Sequence, residues 1–121
     1  MADDAKPEKT QKPKRLKWFF KQPRRTSCYA SFSVAMGEAE VRAVVRHFDG
    51  DWHFLSEASV NGTGDSLAMA ELGFIADTHP EVVPLYGMEP GWVATWDAST
   101  NFWEIVEMDE SWTKIAERPR D

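Results

Sequence analysis

The sequence predicts an α+β domain: an antiparallel sheet of four or five strands built from hairpins, packed by one main helix and preceded by a flexible basic leader. Three observations carry this expectation. Apolar side chains alternate with a two-residue period from Cys28, an Asp49-Gly50 pair separates two strand-like runs, and one stretch of helical spacing runs up to His79-Pro80. A length of 121 residues accommodates one domain, and 42% hydrophobic content with six tryptophans supplies a modest core.

The elements follow in chain order. Residues 1–25 hold nine Lys or Arg against three Asp or Glu, with three prolines, and read as the leader; residues 26–121 hold five against seventeen and form the acidic body. The aromatic triplet of KRLKWFFK either contacts phosphates or an anionic bilayer or folds back onto the body, its basic flanks meeting carboxylates; fold-back is the favoured reading. Cys28, Ala30, Phe32, Val34 and Met36 predict a first strand with one buried face, and VRAVVRHF a second. If Asp49-Gly50 is a two-residue loop, His47 faces Trp52 and Arg46 faces His53, which sends the two histidines to opposite faces. A three-residue loop would instead gather His47 and His53 on one face beside Asp49 and Asp51, the ligand types that hold zinc. The glycine-rich stretch from Ala58 to Ser66 reads as a loop. Leu67, Ala70, Phe74 and Ile75 then keep helical spacing, with the alternative of a short strand over Leu67–Ala70 followed by a helix from Glu71 to Thr78. WVATW and FWEIVE form a second hairpin around Asp97–Asn101. A short helix to Glu117, capped by Asp109 or Ser111, closes the chain.

The segments DGDWHFLS, ADTHPEV and PGWVATWDASTNFW occur in an order that resembles a class of small uncharacterised bacterial proteins with DGDWQFL-type and PGW motifs. The resemblance spans residues 41–104 and rests on Asp49, Gly50, Asp51, Trp52, Phe54, Leu55, Pro80, Pro90, Gly91, Trp92 and Trp103. Thr78-His79 intervene before Pro80, and His53 stands where a glutamine is usual. The resemblance implies a shared α+β fold; some similar domains sit beside toxin genes as immunity proteins.

Signatures of catalysis are weak. Cys28 lies at an inward strand position and reads as a buried structural thiol, which in a chain with a single cysteine also suits the cytosol. No serine sits in a nucleophile-elbow context, and NGTGDS lacks the lysine of a phosphate loop. The expectation is therefore a non-catalytic, cytoplasmic protein-binding domain with no cofactor and no membrane span. Its partner would be a basic protein, such as a toxin, engaged through Trp96, Glu104, Glu107, Asp109, Glu110 and Trp112. Trp52 and Trp92 are assigned to the core. Two alternatives stand beside this: an adaptor whose leader binds nucleic acid or an anionic membrane, and a small metal-dependent hydrolase built on His47, Asp49, Asp51 and His53.

Overall fold

A computed structural model describes residues 18–109 and, as backbone, 114–118. Its strands are β1 (Ser27–Ser31), β2 (Ala43–Arg46), β3 (Trp52–Leu55), β4 (Leu67–Glu71), β5 (Trp92–Asp97), β6 (Phe102–Met108) and β7 (Lys114–Arg118). They form one sheet in the order β4-β1-β3-β2-β5-β6-β7. Three short helices, α1 (Phe32–Ala35), α2 (Glu57–Asn61) and α3 (Leu72–Thr78), and a 3-10 helix over Pro80–Leu85 complete the fold. The α+β class is as expected; the sheet is not. Six strands with described side chains and a seventh at the edge replace the four or five anticipated, and β1 runs parallel to β3, pairing Tyr29 with His53 and Ala30 with Phe54.

Each departure has a local cause. The first strand stops at Ser31, five residues before the alternation does, because the Asp65 carboxylate captures the next turn: it accepts from the Ser33 backbone N–H at 3.1 Å and from the Ser33 hydroxyl. Phe32 therefore turns outward while Val34 is buried on α1. Residues 67–71 form a strand and 72–78 a helix, in line with the second of the two readings of that stretch. The single main helix is thus shortened to one of several small ones. The C-terminal segment, which reads as helical, instead pairs as β7 with β6.

The same Asp65 carboxylate takes a 2.6 Å hydrogen bond from the Ser56 hydroxyl, whose oxygen caps α2 by accepting from Ser59 N–H at 3.2 Å. These bonds, led by the one from Ser33, hold Asp65 below the usual carboxylate range. A depressed folded pKa gives stability that is complete above the unfolded value of about 4 and is lost as pH falls through the folded one. Asp65→Asn should therefore lower stability at neutral pH, and its stability and the wild type's should converge on acidification, as read by urea denaturation across that range. Parallel curves at every pH would contradict this.

One face of the sheet packs the core. Cys28, Ala30, Val44, Trp52, Phe54 and Ala94 point inward against Val34, Leu72, Ile75, Val82 and Leu85 of the helical layer. Burial pushes the Cys28 thiol up to about 12, which keeps it protonated and unreactive. Phe20 also lies in this core, edge-on to Trp52 at 5.3 Å. Trp18 donates its indole N–H to the Gln22 carbonyl, Arg24 stacks over Trp18 at 4.5 Å, and the guanidinium of Arg24 pairs with Asp77 at 3.0 Å. The end of the basic segment is folded back, its aromatics on the body and its cations on carboxylates.

Candidate protein-docking face

The hairpin that was expected to separate the histidines brings them together. Arg46 pairs with Trp52 and Val45 with His53, so the loop holds three residues, Phe48-Asp49-Gly50. A type I′ turn needs positive φ at both central residues, but here only Gly50 has it, at +99°. The Gly50 N–H bonds the His47 carbonyl, the His47 N–H bonds the Asp51 carbonyl, both at 2.8 Å, and the Asp49 carboxylate accepts from Asp51 N–H at 3.0 Å. The one-residue change in register puts His47 and His53 on one face with ring centroids 4.1 Å apart, and Tyr29 stands 4.9 Å from His53 on the neighbouring strand. Burial, followed by the neighbouring His47, pushes the His53 pKa down. Among the described residues, no group of three or more His, Cys, Asp or Glu side chains is placed to hold a metal ion.

These three rings lie on the sheet face opposite the core. Strand registers assign to it Leu67, Met69 and Glu71 of β4, Tyr29 of β1, His53 and Leu55 of β3, Val45 of β2, Val93 and Thr95 of β5, and Glu104, Val106 and Met108 of β6. Ala43 of β2, which the same registers place on this face, is buried, and the side chains named above are partly or largely exposed. At one end of the face α2 covers Ser31, whose hydroxyl meets that of Ser59 at 2.6 Å. Across β1–β6 this face carries no Lys or Arg, and its charged groups there are carboxylates: Glu71, Glu104, and Asp51 and Asp97 at strand ends; at the edge, the register of β7 sets Lys114 opposite Met108 and Glu117 opposite Val106. Arg25, projecting from outside the strands, reaches Glu71 at 3.7 Å. The product is an apolar sheet surface with aromatic and imidazole rings near its middle and negative charge at its margins.

The residues anticipated as binding groups are divided by the sheet. Glu104 pairs with Thr95 and is exposed on the open face. Trp96 pairs with Trp103 on the core side, where the two indoles meet edge to face at 5.3 Å beside a cavity of about 220 Å³ lined also by Pro84, Phe102 and Ile105. Trp96 is partly exposed, and Arg42 lies over its ring at 5.8 Å. Glu107 pairs with Trp92 on that same core side, so Glu104 and Glu107 do not form one patch. Asp109 is half-buried just beyond β6; Glu110 and Trp112 lie outside the described residues. Trp52 is in the core as expected, and Trp92 is half-buried at its margin.

The face could have been found from a signal already in the sequence. Val44-Val45, Phe54-Leu55 and Ile105-Val106 place apolar residues at consecutive positions, so both faces of those strands are apolar, not one. In comparisons with known proteins, no family model, no curated protein and no solved structure matches this chain. No helix among the described residues is long and apolar enough to cross a membrane.

Proposed function

We propose that the chain is a non-catalytic protein-binding domain that engages a basic protein through the open sheet face, in the manner of an immunity protein that occludes the surface of a toxin. The observation that supports this most is the composition of that face over β1–β6: contiguous apolar side chains from six strands, with carboxylates as the charged groups of those strands. Apolar area supplies the affinity of such a contact, and marginal charge of one sign steers a partner of the opposite sign and excludes others. Glu104, exposed on the face, is the steering group retained from the acidic set, and Tyr29 and Met69 supply the anchoring area. The adaptor reading is less favoured because Trp18, Phe20 and Arg24 are already engaged with the body.

The test is affinity capture from the native cytosol with three baits. The wild type should enrich a basic protein, and Glu104→Lys combined with Val106→Lys should lose it. Glu38→Lys, a charge reversal in the exposed connection between α1 and β2, should retain it. Equal capture by the first two baits would remove the open face from consideration.

A further inference from the structure

The two edges of the sheet are unlike. β7 has the sequence KIAER and joins β6 through a register shift between Glu107 and Met108, and charge with irregular pairing is how natural sheets guard an edge. β4, at the other edge, has the sequence LAMAE, with no proline, no lysine and a regular five-pair register against β1. The direction of its free groups can be read from the flanking bonds. Leu72 N–H bonds the Thr26 carbonyl at 2.8 Å and Phe32 N–H bonds the Ser66 carbonyl at 2.7 Å. Antiparallel pairs alternate, so Ala68 and Ala70 bond inward to β1, and Leu67, Met69 and Glu71 point their N–H and C=O groups away from the sheet. Apolar surface is concentrated around this edge. Of the ten large apolar side chains exposed among the described residues, five belong to β4 or to the ends of α1 and α3 beside it: Leu67, Met69, Phe32, Met36 and Phe74. Met69, at 65%, is the most exposed of all.

We infer that β4 pairs antiparallel with β4 of a second copy, about a two-fold axis at Met69, joining two sheets into one. The register is self-complementary. Met69 opposes the second copy's Met69, and the outward-bonding residues Leu67 and Glu71 oppose the second copy's Glu71 and Leu67, so no like charges face each other. Glu71, the one charge on the strand, has Arg25 beside it at 3.7 Å. An edge contact from β4 to β7 would instead propagate as an open filament, and the guarded β7 edge disfavours it; the β4 pairing closes at two copies. The Met69 side chain is shared with the open-face reading, but this inference rests on the outward backbone groups of β4, which that reading does not use; Met69→Pro tests those groups, and the Glu104→Lys, Val106→Lys bait tests the open face away from this edge.

The test is sedimentation equilibrium on the full chain from micromolar to millimolar concentration. The wild type should form a dimer. Met69→Pro removes an N–H that points to solvent in the single copy, where an edge strand tolerates proline, and with it both symmetric bonds across the axis. It should weaken the dimer by about tenfold to a hundredfold with the far-ultraviolet circular dichroism retained. Ala68→Pro, which removes an inward bond to β1, should instead damage the fold. Should Met69→Pro also fail to fold, Met69→Lys and amide exchange on the wild type decide: the Leu67, Met69 and Glu71 amides should become protected as concentration rises. A wild type that stays monomeric throughout, or a dimer that Met69→Pro or Met69→Lys leaves intact, overturns the inference.

Discussion

Phe20→Ala is expected to destabilise the domain by about 3–5 kcal/mol, the cost of emptying an aromatic site in a packed core. The ring is 5% exposed and fills the space against the edge of Trp52, which is itself 1% exposed and stacked on Phe54 at 5.8 Å. Removing it leaves a cavity over the largest fully buried side chain, and the rigid Trp52 indole cannot move to close it without losing Phe54. Phe19, one residue earlier, is exposed and stands 5.2 Å from Tyr86, and its alanine variant should cost less than about 1 kcal/mol. Urea denaturation of the two variants, with unchanged slope, reads the contrast. Equal, small effects would mean that the segment rests on the body without contributing to it.

Gly91→Ala should cost about 2–5 kcal/mol, from two separable terms. The backbone there has φ +91°, a conformation that side-chain-bearing residues rarely adopt, and an added Cβ would stand 2.6 Å from Cε1 of Phe48. The position cannot relax freely: its N–H bonds the Arg46 carbonyl at 2.6 Å and its carbonyl accepts from Met108 N–H at 2.9 Å, joining the ends of β2 and β6 where β5 begins. Phe48→Ala in the same background should restore the steric part and leave the backbone part, about 1–3 kcal/mol. Full recovery in the double variant would show that the loop has a second backbone conformation available; a stable single variant would show the same for the Phe48 ring.

The sequence made the inward residues of β3 and β5 legible because alternation reports burial on one face directly; for β2 the two-residue loop sets Val45 and His47 beside Trp52 and Phe54, where the structure has Val44 and Arg46. The sequence also located the β2–β3 turn at Asp49-Gly50. It did not fix the count of turn residues, since Asp-Gly serves both a two-residue loop and a three-residue loop ending in a left-handed glycine, and the two differ by a register that reverses every side chain. The juxtaposition of His47 and His53 follows from that one residue. The early end of β1 depends on Asp65, 32 positions from the serine it holds, and no local pattern could announce it. β7 is not legible locally because Lys, Ala, Glu and Arg favour helix in isolation, whereas the free edge of β6 offers them a strand. The acidic cluster dissolved for a related reason: Glu104 and Glu107 are close in sequence but an odd number of strand residues apart, which puts them on opposite sides.

The parallel pairing of β1 with β3 bears on how the molecule is made. Every strand that flanks β1 lies later in the chain, the nearer contact arriving only with His53 and the outer one with Leu67. A polypeptide leaving the ribosome amino end first therefore carries Cys28 and its neighbours without a strand partner until more than twenty further residues have emerged.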